Sequence, residues 1–136
     1  MNAIQELNVT EHGIPPHVLV MEDEASVAQG LQMVLSEEGY DVDLANTGSG
    51  ALSAFQQKGF DLLVADLRLP DIDGMEVIRQ VKQSKPDTEV IVITGYSSID
   101  SAVEAMKLGA FEYLPKPFTD DQFKQAVDGA LKEKKA

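Results

Sequence analysis

The chain contains no cysteine, which excludes a disulfide scaffold, a thiolate metal site and a cysteine nucleophile. No Lys or Arg occurs before Lys58, and no apolar stretch approaches the length needed to span a bilayer. The N-terminus carries Glu6 and Glu11 rather than a basic region ahead of an apolar one, so it does not read as a secretory signal. Positive charge is scarce throughout: 11 Lys and Arg stand against 23 Asp and Glu, a net charge of −12. A surface this acidic does not bind a nucleic-acid backbone, and cations or a partner with a basic patch suit it better. The default expectation is a cytoplasmic protein, with neither membrane nor nucleic acid as a partner of this domain.

What is present is a core. Hydrophobic residues make up 43% of the 136 positions, enough for one domain and too few residues for a second. Residues 1–16 show no sustained period and end in Gly13 and Pro15-Pro16, which predicts a flexible leader, with a weak helical signal at Ile4 to Leu7. The domain is expected over 17–134, with a short tail at 135–136.

From His17 onward, strand and helix signals alternate five times. His17 to Met21, Leu62 to Ala65 and Val90 to Ile93 are apolar runs of buried-strand length. Asp41 to Leu44 alternates polar and apolar, as an edge strand does, and Phe111 to Leu114 is a short fifth strand. Between and after them, helical spacing places Val27, Leu31, Val34 and Leu35 on one face. Ala51, Leu52 and Phe55, then Met75, Ile78 and Val81, do the same. Ile99, Ala102, Val103 and Met106, then Phe123, Val127, Ala130 and Leu131, complete the set. Gly39, Gly59, Pro86 and Gly109 mark helix ends. Repeated β-then-α units with short loops predict an α/β fold, a parallel five-stranded sheet covered on both sides. Five units in this length fit the doubly wound, flavodoxin-like order 2-1-3-4-5. In that order ligands lie beyond the C-terminal ends of the strands.

Chemistry-bearing residues stand at those ends. Glu22, Asp23 and Glu24 follow strand 1, Asp66 follows strand 3, Thr94 ends strand 4, and Lys116 follows strand 5. Like carboxylates at adjacent strand ends are costly unless a cation joins them or one is protonated. Hard oxygen donors suit Mg²⁺, which completes its shell with water and phosphate oxygens. Taken singly, Asp23 and Asp66 read as loop or capping carboxylates, Thr94 as a strand-end residue and Lys116 as a surface lysine. Together they describe a phosphoryl-transfer crevice. Asp66, deepest at the end of an apolar strand, is the nucleophile candidate, since carboxylates form aspartyl phosphates. Lys116 and Thr94 would neutralise and hydrogen-bond the phosphoryl oxygens. Lys116-Pro117 is a candidate cis bond, the alternative being an ordinary trans turn.

Three other readings meet obstacles. A haloacid-dehalogenase-type phosphatase needs a second Asp two residues after the nucleophile, where this chain has Arg68. A flavin binder would not place Glu22-Asp23-Glu24 where phosphate must sit. Thr47-Gly48-Ser49-Gly50 is glycine-rich but lacks a P-loop lysine, and reads as a capped helix start.

The strings VLVMEDEA, LLVADLRLPDIDGMEVI, VIVITGY and GAFEYLPKPF, in this order over roughly residues 17 to 134, resemble the receiver domain of two-component response regulators. The last string looks most like receivers attached to AAA+ activators of the enhancer-binding class. The resemblance implies Asp66 as phosphoacceptor and Mg²⁺ held by Asp23 and Asp66, with Glu22 acting mainly through water. The backbone carbonyl of Arg68 would complete the metal shell. Thr94 would be the switch hydroxyl, Lys116 the phosphoryl-binding lysine, Tyr113 the switch aromatic and Pro117 the cis-proline. Glu22 stands where Asp is commoner and keeps the charge. Arg68 and Tyr96 occupy variable positions that affect hydrolysis of the acyl phosphate. Tyr96 would shield the phosphoryl group, and Arg68 would pair with it or with the acidic pair, giving slow self-dephosphorylation.

The implied function is transfer from a sensor histidine kinase or phosphotransfer protein to Asp66, followed by self-hydrolysis, so the chain is not an enzyme in the ordinary sense. The implied output surface is helix 4, strand 5 and helix 5, a candidate homodimer or effector face bearing Ile99, Val103 and Met106. Burial of at least one of these three in the core is also expected. Gly95 and Ser97-Ser98 give the loop after Thr94 room to move. Helix 1 is the face implied for kinase docking, although its apolar positions are expected in the core. The competing class is a receiver-shaped interaction module that works without phosphorylation.

Overall fold

Aliphatic runs flanked by turn residues and amphipathic stretches alternate along the chain, and each forms the element its period requires. The computed structural model describes residues 14–135. The order is β1 His17–Met21, α1 Ala25–Glu37, β2 Asp41–Ala45, α2 Gly48–Gln57, β3 Leu62–Asp66, α3 Gly74–Ser84, β4 Glu89–Thr94, α4 Ile99–Lys107, β5 Glu112–Pro115 and α5 Asp120–Lys135. The expected leader lies outside the described residues except for 14–16. The last helix runs through Lys135, one residue past the expected domain end.

All five strands are parallel, in the order β2-β1-β3-β4-β5. Two offsets from the sequence reading concern the site. β3 extends one residue further, so Asp66 is its last residue, and β5 starts at Glu112 rather than Phe111. Backbone pairing across the sheet decides both ends, and side-chain pattern alone does not report it.

Strand residues alternate between two cores. Leu19, Met21, Leu63, Ala65, Val90 and Val92 face α2 and α3, where Phe55, Ile78 and Val81 pack. Val18, Val20, Leu62, Val64, Ile91 and Ile93 face α1 and α5, where Leu31, Leu35, Phe123 and Val127 pack. The central strands are therefore buried on both faces, which is why they read as unbroken apolar runs. On α1 Leu31 and Leu35 are buried, and Val27 and Val34 pack against the same core. Gly39 and Gly109, just past the ends of α1 and α4, take φ of 92° and 103°, a conformation that favours glycine. Among the described residues, no helix is long and apolar enough to cross a membrane.

The fourth helix exposes the face read as a candidate interaction surface and departs from expectation only in burying none of its three large apolar residues. Ile99 is 83% exposed, Met106 49% and Val103 46%, and the helix buries only Ala105. None of the three larger residues enters the core. The helix turns its small residues inward, because Ala105 and the half-buried Ala102 are what fit against the sheet.

The register sets the working edge. Met21 pairs with Ala65, Asp66 with Ile93, and Thr94 with Pro115, so the residues that follow these strands emerge at one level. Gly74, the first residue of α3, holds the end of β3 in place. Its N–H donates to the Leu67 carbonyl at 3.0 Å, and a Cβ built there would lie 2.4 Å from the Asp66 carbonyl oxygen and 2.6 Å from the Leu67 Cα. Those are backbone atoms, which cannot rotate away. Gly74→Ala is expected to cost about 2–3 kcal/mol in urea denaturation, an overpacking penalty, and to shift the backbone resonances of Asp66 and Leu67.

Candidate functional site

Three strand ends converge on a small group of charges. The chain leaving β1 turns so that the Glu22 side chain is buried, 1% exposed, while Asp23 faces outward. The Glu24 N–H donates to Glu22 Oε2 at 3.2 Å and the Glu22 N–H donates to the Ala45 carbonyl at 3.0 Å, which fix this acidic turn. Asp66, 4% exposed, accepts the Arg68 N–H on Oδ1 at 3.2 Å. Beyond β5 the Lys116 N–H donates to the Thr94 carbonyl at 2.7 Å, and the Lys116-Pro117 bond is cis. The Lys116 ammonium then reaches back to Glu22 Oε1 at 2.7 Å and Asp66 Oδ2 at 3.3 Å.

One ligand oxygen from each of Glu22, Asp23 and Asp66 lies within 4.8 Å of the others. Three hard oxygen donors at that spacing fit a small divalent cation such as Mg²⁺, with open positions left for water. The electrostatics show what such a cluster costs without one. The Glu22 carboxyl is pushed up to about 7, chiefly by burial and in part by Asp66, against the Lys116 and Glu24 hydrogen bonds that pull it down. Burial also disfavours the Lys116 ammonium, but its contacts with Glu22 and Asp66 outweigh that and raise its pKa. One ammonium thus serves two carboxylates, and Glu22 carries the shortfall.

Asp23, Asp66, Arg68, Tyr96 and Lys116 line one cavity of about 410 Å³. Arg68 and Tyr96 also line a neighbouring cavity of about 380 Å³, together with Thr94 and Ser101. The pair stands between the two, the Arg68 guanidinium lying 3.9 Å from the centre of the Tyr96 ring. Of the two partners the sequence suggested for Arg68, the phosphoryl group or the acidic pair, the second is not taken up, and the guanidinium stacks on Tyr96 instead. No ion pair joins Arg68 to Glu22, Asp23 or Asp66 among the described residues. Lys116 already occupies Glu22 and Asp66, and the aromatic face is a favourable site for a guanidinium.

Thr94 is fully buried, and its hydroxyl accepts the Tyr96 N–H at 3.0 Å. Tyr113 pairs with Val92 across the sheet and turns its hydroxyl to the start of α4. There it shares a 2.6 Å hydrogen bond with the Ser101 hydroxyl and accepts the Ser98 N–H at 3.3 Å. Tyr113 thus packs as an amphipathic strand-end residue on α4, its ring end held by the first turn of that helix. The sequence reading missed Ser101, whose signal was its place three residues after the Ser98 cap. It also missed Gly74 and Asp71, which lie in the Asp71-Ile72-Asp73-Gly74 segment between a buried strand and an amphipathic helix. Asp73 caps α3 by accepting the Met75 N–H at 3.0 Å. Thr47 caps α2 by accepting the Gly50 N–H at 2.9 Å, as the glycine-rich segment implied.

A family model described as the response regulator receiver domain matches residues 18–128. Among curated proteins, the transcriptional regulatory protein ZraR of Klebsiella oxytoca is 41% identical over 114 residues, 84% of this chain and 26% of the relative. The chain therefore spans about a quarter of the length of that relative. Among solved structures, the beryllofluoride-activated NtrC4 receiver domain dimer is similar with a TM-score of 0.83 and 42% identity, covering 87% of this chain and 98% of that one. The response regulator TrrA from Thermotoga maritima, in complex with Mg²⁺ and BeF, is similar with a TM-score of 0.78 and 34% identity, covering 85% and 99%.

The displaced titration of Glu22 has a measurable consequence. Its folded value, about 7, lies above its ordinary value of 4.5. The group's contribution to stability is thus fully present below about pH 4.5 and is lost as pH rises through about 7. Urea midpoints measured with a chelator present are expected to fall over that window in the wild-type chain. The Glu22→Gln variant is expected to gain on the wild type steadily across the same window. Parallel curves would show that Glu22 ionises normally in the fold.

Proposed function

The chain belongs to the response regulator receiver domain family, and on that premise we propose that it accepts a phosphoryl group on Asp66 in a Mg²⁺-dependent reaction. The observation that carries this is the Glu22, Asp23 and Asp66 cluster with the Lys116 ammonium bonded to two of its members. The donor is a phosphohistidine on a sensor histidine kinase or phosphotransfer protein. An Asp66 carboxylate oxygen attacks phosphorus, the P–N bond breaks, and the imidazole leaves with the electron pair. Glu22, Asp23, Asp66 and the Arg68 backbone carbonyl would hold Mg²⁺, which when bound neutralises charge on the phosphoryl oxygens. Lys116, already at the Asp66 carboxylate, pairs with another of those oxygens. Hydrolysis of the acyl phosphate by water returns Asp66, so the chain catalyses its own modification and is not a turnover enzyme on a separate substrate.

The switch is local electrostatics acting on a packed edge. The Thr94 hydroxyl leaves the Tyr96 N–H and donates to the phosphoryl group. Tyr113 then turns inward, leaving Ser98 and Ser101 and freeing the start of α4. Exposed Ile99, Val103 and Met106 ride on that helix, which makes α4, β5 and α5 the surface for an effector or a homodimer. The dimeric state of the NtrC4 receiver supports the second. The likeness to ZraR supports a role in transcription regulation through a further domain, with no direct nucleic-acid contact by this one. The Arg68-capped Tyr96 ring covers the crevice and slows water, so the signal persists.

Intact-protein mass spectrometry after incubation with acetyl phosphate tests the chemistry. One phosphoryl adduct is expected in the presence of Mg²⁺, and none without Mg²⁺ or in Asp66→Asn. Decay of the adduct is expected to be faster in Tyr96→Ala. No adduct on a folded wild-type protein would instead favour an interaction module independent of phosphorylation, and an unchanged decay would remove Tyr96 as the shield.

A further inference from the structure

The loop from 67 to 73, between β3 and α3, carries Arg68, and its far end is tied to a different part of the molecule. Both oxygens of Asp71 take part: Oδ1 accepts the Gly48 N–H at 2.8 Å and Oδ2 accepts the Ser49 N–H at 3.0 Å. These are the first backbone donors of α2, groups a helix cannot satisfy by itself. The contact is also tight sterically, since a Cβ built on Gly48 would lie 3.0 Å from the Ile72 Cβ and 3.1 Å from the Val77 Cγ2. The Ser49 hydroxyl and these two N–H groups hold the Asp71 carboxyl down to about 2, so it stays ionised at any pH of interest.

This tie is more than a helix cap, because α2 already has one in Thr47, which serves the Gly50 N–H. Asp71 comes from across the loop and serves the donors that Thr47 does not reach. Among the described residues, its two bonds tie 67–73 to α2, whereas the side-chain hydrogen bonds of Arg68 N–H to Asp66 and of Met75 N–H to Asp73 run to the strand and helix that flank the loop. At the near end the loop is set by the Arg68 N–H on Asp66 Oδ1 and by the close approach of Gly74 to the Asp66 carbonyl. The loop is thus pinned at both ends around Arg68.

We propose that Asp71 is a positioning residue for the metal: by clamping the β3–α3 loop to the start of α2, it sets the backbone of Arg68, which lines the same cavity as Asp23 and Asp66 and whose carbonyl would join them on the ion. This rests on the reading of the acidic cluster as a Mg²⁺ site. Asp71 touches neither the ion nor the phosphoryl group. It acts through the peptide three residues away.

The test is a MgCl₂ titration of the full chain, followed by backbone NMR of Asp23 and Arg68, on the wild type, Asp71→Ala, Asp71→Asn and Thr47→Ala. Circular dichroism and thermal midpoints are read in parallel. Asp71→Ala is expected to weaken Mg²⁺ binding about tenfold, the scale of outer-shell substitutions, with the fold retained and with faster amide exchange at Gly48 and Ser49. Asp71→Asn, whose amide oxygen accepts one of the two bonds, is expected to recover part of the affinity. Thr47→Ala is expected to lower the thermal midpoint and leave Mg²⁺ affinity unchanged. Wild-type affinity in Asp71→Ala would reduce Asp71 to a cap, and equal weakening in Thr47→Ala would assign the effect to α2 rather than to the loop. Should Asp71→Ala fail to fold, Asp71→Asn against Thr47→Ala decides the same question. A wild-type chain that binds no Mg²⁺ would refute the reading of the cluster itself, and this proposal with it.

Discussion

Two buried carboxylates share one ammonium, and much of the architecture follows from that shortage. Glu22 and Asp66 come from the adjacent strands β1 and β3 and stand where water is nearly excluded. Lys116 must cross from the far edge of the sheet to reach both. Burying charge is expensive unless it is paired. This arrangement pairs it incompletely and raises the titration of one carboxyl toward neutral pH. The deficit is a standing attraction for a cation. The fold's rigidity serves to keep these groups from relaxing away from each other.

That rigidity was largely legible in the sequence. Val90 to Ile93 and Leu62 to Ala65 announced strands covered on both faces, and alternation with helical faces left few topologies open. The positions of Glu22, Asp23, Asp66 and Lys116 at one edge then followed from strand order. Strand ends were less legible, because pairing across the sheet decides them. Local pattern could not place Asp66 inside β3 or move β5 forward by one residue.

Other features depended on competition between partners, which a linear reading cannot weigh. Arg68 had acidic candidates in plain view. It lies on Tyr96, while Lys116 occupies two of those acids. In α4, the spacing of Ile99, Val103 and Met106 marked a helical face correctly, and the inference from face to core failed. The small residues Ala102 and Ala105 turn inward there, and the larger ones face water. Gly74 and Asp71 carried no periodic signal, since both matter through a single close approach made possible by chain geometry.

The sparse anchoring of α4 separates two kinds of free energy. Apart from Ala105, the helix gives up little apolar contact when it moves, and hydrogen bonds among Ser98, Ser101 and Tyr113 help hold its first turn. The bulk of cohesion resides in the central strands and in the helices packed on them. Displacing α4 therefore draws on a small reserve and leaves the main reserve untouched. A molecule built this way can rearrange that surface without approaching its melting transition. Mutations that retune its resting bias need not show in its thermal stability.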